Sequence, residues 1–350
     1  KSIGRNIIIN GIDEFEIDQS FSIVMFSVEG IKLASKNSLN YSKKIRKKLY
    51  GLSWGGWNVK ILDLGFFKIG NQNSDTQFAL REILEKLASM QIKVVVLNLK
   101  HNLIFDFYYA LKQNNNIVNI VSIDNKIPDN SKDSSLIKIL DDENCKLGEY
   151  SIVGFQKHIN NVDEIKLFEN MMFETYSLGK VKNKIINTEP IFRNSDLVNI
   201  SMRAVKSGDI NNSHEFTNGL SSYEFCSLCR FAGLSTTLNL ISFESVYQSS
   251  AISSLISEGI WYAIDGMDNV MEENIEVNSE NYVFYNISVD NFDLKFVKSL
   301  LSNRWWVCLE NINLVQMEKT YIPCVEDDYL LSKNSVLSDR ILTRIKNKIT

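Results

Sequence analysis

The sequence predicts an α/β domain with a largely parallel sheet, and three observations carry that prediction. Short apolar runs such as Lys93–Leu99 and Ile117–Ile123 lack strict alternation, as strands covered on both faces do. Between them lie longer segments with apolar residues at helical spacing. Most of these runs also end in polar or charged residues, and in parallel α/β sheets ligands sit beyond the carboxyl ends of the strands.

In chain order, residues 21–27 (Phe-Ser-Ile-Val-Met-Phe-Ser) read as a buried strand and residues 41–50 as a basic, amphipathic turn or helix. Val59–Leu64 is a further strand, ended by Gly65. Ser74 or Asp75 is expected to cap the next helix, with Phe78, Ile83, Leu84 and Leu87 on its apolar face. Lys93–Leu99 is a strand, residues 104–113 a helix and Ile117–Ile123 a strand. The polar stretch 127–150 reads as a long loop with one helical turn. Tyr150–Phe155 is expected to be a strand, Asp163–Lys184 one long helix carrying Phe168, Met171, Met172 and Tyr176, and Asp196–Met202 a strand. Residues 219–232 form a helix, Leu238–Phe243 a strand and Ser249–Met267 a helix. Beyond residue 269 the character changes to aromatic strand-like segments, Tyr282–Ile287 and Arg304–Leu309, followed by a basic helix at 338–349. The expected division is an α/β domain over 1–268 and an extension over 269–350 packed on the same domain.

Bulk composition narrows the function classes. The chain has 350 residues, 44% of them hydrophobic, which is enough for one large core. With 38 basic against 42 acidic residues the net charge is −4, which gives no global attraction to nucleic acid or to an anionic membrane. No apolar run approaches the ~20 residues that span a bilayer, and residues 1–10 lack the apolar core of a secretory signal. Five cysteines at irregular spacing fit a reducing, cytoplasmic setting better than a disulfide scaffold.

Candidate chemistry gathers at four strand ends, which bring His101 and Asn102, Asp124 and Lys126, Ser201 and Arg203, and Glu244 towards one locus. Such a locus would suit a two-metal hydrolase, in which paired divalent cations deprotonate a shared water. Hard cations of that kind require Asp, Glu and a few His ligands, and this chain has three histidines in all.

The surrounding sequence resembles the arginase/agmatinase (ureohydrolase) family, including its formimidoylglutamase-like bacterial branch. The resemblance spans roughly residues 20–268 and is strongest in Gly233-Leu234-Ser235, Glu244 and Gly259–Gly266. The tail is similar to the bacterial branch at Arg304-Trp305-Trp306, Pro323–Tyr329 and Asp339-Arg340. It implies a three-layer α/β/α ureohydrolase (arginase-like) fold, a binuclear Mn²⁺ centre and a homo-oligomer. The family's Gly-Gly-Asp-His turn falls on Leu99–Asn102, where Asn102 takes the place of the metal-binding His. Its Asp-Ala-His-x-Asp stretch falls on Asp124–Pro128, with Asp124 matched, Lys126 in place of His and Pro128 in place of the second Asp. Its Ser-x-Asp-x-Asp stretch falls on Asn199–Arg203, with Ser201 and Arg203 in place of the two Asp ligands. Glu244 matches the acidic residue that faces the substrate's guanidinium-like group.

These replacements share a direction, since cations now stand where the family keeps metal. Unit charges ~4 Å apart interact by about 4 kcal/mol at an effective dielectric near 20, and repulsion from a dication would be roughly double. The expectation is that Lys126 and Arg203 neutralise Asp124, Asp209 or Glu244 and that no cofactor is bound. The favoured reading is a pseudoenzyme with a binding or scaffolding role and an unidentified protein partner, without nucleic acid or membrane. The alternative is a hydrolase of a guanidino or formimidoyl compound with a partial Mn²⁺ site on His101, Asp124 and Asp209. Cys226-x-x-Cys229 lacks a second ligand pair for zinc and reads as buried helix cysteines. Trp305-Trp306 reads as packing or a subunit contact, and the Lys43–Lys48 cluster as a solvated helix face. His158 and His214 have no ligand spacing around them.

Overall fold

Among the described residues, nine strands form one sheet in which every pairing is parallel. They are β1 (Ile8–Ile9), β2 (Ile23–Glu29), β3 (Ile61–Phe66), β4 (Lys93–Leu99), β5 (Val118–Ile123), β6 (Leu147–Phe155), β7 (Glu174–Ser177), β8 (Leu197–Ser201) and β9 (Leu240–Glu244). The computed structural model describes residues 1–10, 19–29, 36–67, 73–99, 103–211, 216–245, 247–277, 279–290, 292–309 and 321–349. His101, Asn102 and His214 lie outside the described residues.

The order across the sheet is β1-β3-β2-β4-β9-β8-β5-β6-β7. The chain leaves a gap between β4 and β5 and fills it last, with β8 and β9. The carboxyl ends of β4, β9, β8 and β5 are therefore neighbours, although residues 93–123 and 197–244 are far apart in sequence.

Helices cover both faces because successive side chains of each strand point to opposite sides. One core packs Met25, Val95, Leu97, Ile123, Ile200 and Phe243 against α1 (Lys36–Gly51), α9 (Ser222–Gly233) and α10 (Ser250–Asp268). The other packs Val24, Phe26, Val96, Ile120, Ile152 and Leu240 against α2 (Asn73–Ser89), α3 (Ile104–Leu111), α4 (Ser135–Leu140) and α5 (Val162–Asn170). Shorter helices α6 (Leu178–Asn183), α7 (Glu189–Phe192) and α8 (Ser207–Ile210) complete the α/β part. The α9–α10 crossing is close enough that a Cβ on Gly233 would lie 2.1 Å from the Ala263 carbonyl oxygen, and one on Gly266 2.4 Å from that of Arg230.

Beyond α10, β10 (Tyr282–Val289), β11 (Phe292–Ser299), β12 (Trp305–Leu309) and β13 (Ile322–Cys324) form an antiparallel sheet. It is followed by α11 (Glu326–Lys333) and α12 (Asp339–Ile349). Trp305 in its core stacks on the partly buried rings of Tyr285 and Tyr329. Arg193 donates to the Trp305 carbonyl at 2.6 Å and to that of Cys324 at 3.1 Å, and Arg344 pairs with Glu174 at 2.7 Å.

Four sequence expectations are corrected here. Asp163–Lys184 is not one helix: α5 ends at Asn170, Met172 takes a left-handed φ of 59°, and Glu174–Ser177 joins the sheet beside β6. The turn lets Phe168 and Phe173 both pack on Tyr150, a contact a continuous helix would deny. Phe78 is 71% exposed, because the buried stripe of α2 is Leu80, Leu84 and Leu87. Ser74 and Asp75 lie inside the first turn of α2, which starts at Asn73, so neither caps it. Finally, the basic face of α1 is not wholly solvated. Lys43, Lys44 and Lys47 are exposed, but Arg46 turns inward to Asp63 at 2.7 Å and Lys48 donates to Ser254 at 2.6 Å.

Candidate functional site

Asp124 follows the last residue of β5, and its backbone N–H still donates to the Val153 carbonyl of β6 at 3.1 Å. That bond keeps the residue in line with the sheet and buries its carboxyl at the strand end. One oxygen, Oδ1, accepts the backbone N–H of Asn125 at 2.7 Å and that of Lys126 at 3.4 Å. The other, Oδ2, accepts a hydrogen bond from Arg203 Nη2 at 2.6 Å.

Arg203 is delivered by the end of β8. Ser201 closes that strand and opens a single 3-10 turn over Met202–Ala204. The Ser201 hydroxyl accepts the Arg203 backbone N–H at 3.4 Å and its Nε–H at 3.2 Å. Two bonds from one residue thus fix both ends of the arginine and aim its fork across the sheet. The same Nη2 lies 3.8 Å from Glu244 Oε1. Glu244 is the last residue of β9 and the register partner of both Ser201 and Asn98. Asn199 Nδ2 donates to Glu244 Oε2 at 3.5 Å.

The electrostatics follow from burial. Loss of water around Asp124 pushes its carboxyl above the usual range; Arg203 pulls it back, Glu244 pushes it up again, and the net shift is upward. Two carboxylates therefore share one cation whose side chain is 32% exposed.

Arg203, Asp124, Ser201 and Glu244 lie together at this locus, but Lys126 and Asp209 do not join them. Lys126 is exposed, and among the described residues its ammonium pairs with no carboxylate. The chain turns there so that the Lys126 N–H faces Asp124 while Ile127 is held by Asn160, which accepts its N–H at 2.8 Å. Asp209 serves the start of α9 instead, accepting from the Ser222 backbone at 2.8 Å and its hydroxyl at 2.9 Å, with Lys206 at 3.2 Å. Burial pushes the Asp209 carboxyl up, but these donors outweigh it and hold it below the usual range. Asn199 was missed as a partner of Glu244; a polar residue inside the apolar run Leu-Val-Asn-Ile-Ser was the available signal. His158 meets the Phe216 ring edge-on at 5.7 Å.

Among the described residues, those at this locus do not fit a pair of divalent cations. Both Asp124 oxygens are taken up, and the group between Asp124 and Glu244 is itself a cation. Among the described residues no group of three or more His, Cys, Asp or Glu is placed to hold a metal ion. Cys226 and Cys229 are buried on α9, where burial pushes both thiols up, the first to about 12.

No protein-family model matches the sequence, and no curated protein does. Solved structures do. A Trypanosoma cruzi formiminoglutamase with Mn²⁺ is 13% identical, with a TM-score of 0.62 over 74% of this chain and 97% of that one. The Bacillus subtilis formimidoylglutamase is 13% identical, with a TM-score of 0.64 over 76% and 92%. The agmatine ureohydrolase of Thermoplasma volcanium is 14% identical, with a TM-score of 0.55 over 73% and 93%. Together with the parallel nine-stranded sheet between two helical layers, these likenesses show that the chain has the fold of the arginase superfamily.

Proposed function

We propose that this protein is an arginase-fold pseudoenzyme in which an internal ion pair has replaced the binuclear metal centre, and that it acts by binding or scaffolding. The observation that carries this reading is Arg203, 2.6 Å from Asp124 and 3.8 Å from Glu244. A guanidinium satisfies carboxylates through fixed N–H donors, supplies one positive charge, and cannot be deprotonated at ordinary pH. It has no open coordination position, so it cannot turn a bound water into the hydroxide that metal-assisted hydrolysis needs. Glu244 fits the same reading: its carboxylate, which would otherwise face a substrate cation, lies beside the chain's own. A homo-oligomeric state belongs to this reading and is checked by light scattering.

The test is to purify the chain with added Mn²⁺, measure bound metal by mass spectrometry, and assay urea and formamide release from guanidino and formimidoyl substrates. The expected result is far less than one metal per chain and no turnover. Stoichiometric Mn²⁺ with release of either product would overturn the proposal in favour of a hydrolase working through a partial site.

A further inference from the structure

Between α7, α9 and the antiparallel sheet lies a cavity of about 420 Å³, within the range of small-molecule sites. It is separate from the Asp124 locus and contains the Arg304 of the tail motif. Glu189 holds two guanidiniums there, Arg193 at 2.6 Å and Arg304 at 3.0 Å. All three side chains are about nine-tenths buried, with exposures of 6%, 11% and 10% for Arg193, Arg304 and Glu189. Two cations against one anion leave one positive charge uncompensated in a poorly solvated place, which is unfavourable unless an anion joins it.

The other charges at the cavity are paired with one another or exposed to solvent. Lys184 and Asp327 form their own pair at 2.6 Å, and Arg230 pairs with Asp265 at 2.8 Å. Glu326 lines the cavity but is exposed to solvent. The donors of Arg193 are consumed by Glu189 and by the Trp305 and Cys324 carbonyls. Arg304 Nε lies 3.0 Å from Glu189 Oε1 and Nη2 donates to the Leu234 carbonyl at 3.3 Å, while Nη1 bonds no described residue. Asn187 gives its Nδ2 to Asp327 at 3.1 Å. Phe231 and Leu234 supply an apolar wall.

We propose that this cavity binds a small organic monocarboxylate, with the carboxylate on Arg304 and its hydrocarbon body against Phe231 and Leu234. The single excess charge selects a monoanion over a phosphate dianion. The apolar wall selects a ligand with a short hydrocarbon body.

The test uses N-acetylglycine as the anionic probe, N-acetylglycinamide as its neutral counterpart and inorganic phosphate as the competing anion. Probes of this size bind in the millimolar range, so titrations followed by ligand-observed NMR run to about 100 mM. The expected result is saturable binding of N-acetylglycine, none of the amide, and phosphate binding at least about tenfold weaker. Arg304→Gln raises the Kd about tenfold or more yet stays folded, because Arg193 keeps Glu189. Arg304→Lys gives a smaller loss and serves if Arg304→Gln does not fold. No saturable binding of N-acetylglycine, binding unchanged in both variants, or equal binding of amide or phosphate would each overturn the proposal.

Discussion

Arg203 donates to Asp124 at 2.6 Å across 79 residues of sequence, and this bond occupies the centre of the strand-end locus. Its two partners arrive from β8 and β5, neighbours in the sheet because the late strands fill the gap beside β4.

Removing Arg203 should therefore cost more than an ordinary surface pair. Arg203→Met leaves Asp124 and Glu244 buried together without their cation. A fully buried broken pair costs about 3–5 kcal/mol. With the arginine 32% exposed, the expected loss is about 1–3 kcal/mol. Urea titrations measure it, and the double variant with Asp124→Asn should recover part of the loss. A loss below experimental error would mean that Arg203 does not hold the locus together.

Asp196 should make stability depend on pH. It sits just before β8 and accepts from the Asn119 backbone at 2.8 Å and from Asn115 at 3.1 Å. Burial outweighs these bonds and pushes its carboxyl from 3.8 up to about 6. Between those values the folded chain keeps a proton that the unfolded chain has lost. Its contribution is therefore complete below pH 3.8 and is lost as pH rises through 6. Asp196→Asn should flatten that decline by about 2 kcal/mol, read from urea midpoints at pH 4 to 7.5 in both proteins.

The α9–α10 crossing should tolerate no methyl group. Gly233→Ala would place a Cβ 2.1 Å from the Ala263 carbonyl oxygen, a backbone atom that cannot swing aside. Overpacking of this kind costs about 1–3 kcal/mol and sometimes more. Gly208→Ala, whose Cβ meets nothing within 4 Å, is the control and should leave the melting temperature almost unchanged.

Thiol labelling should separate one cysteine from four. Cys145 is exposed, whereas Cys226, Cys229, Cys308 and Cys324 are buried, and burial pushes the thiols of 226, 229 and 324 up. A chromogenic disulfide should modify one thiol promptly in the folded chain and all five in urea. Cys145→Ser should abolish the prompt step; a second fast thiol would show that α9 or the antiparallel sheet opens.

Much of this molecule was legible in one dimension. Apolar runs without alternation marked β4, β5, β8 and β9, because strands buried on both faces leave that pattern in any parallel sheet. The ends of those strands marked Asp124, Ser201, Arg203 and Glu244, because side chains at carboxyl ends converge whatever the loops do. Local pattern failed where a local preference met a distant partner. Helical spacing continued past Met172, but packing of Phe173 on Tyr150 and pairing with β6 turned the chain into β7. Lys126 and Arg203 looked equivalent as cations beside carboxylates. Only the three-dimensional arrangement separated them: the Ser201 hydroxyl fixes the Arg203 fork on Asp124, while the turn after β5 presents the Lys126 N–H inward and leaves its ammonium in water. The sequence by itself determined which residue types meet at the strand ends. Which of them touch was decided by register and side-chain direction, since a hydrogen bond depends on position to a few tenths of an ångström and composition carries no such information.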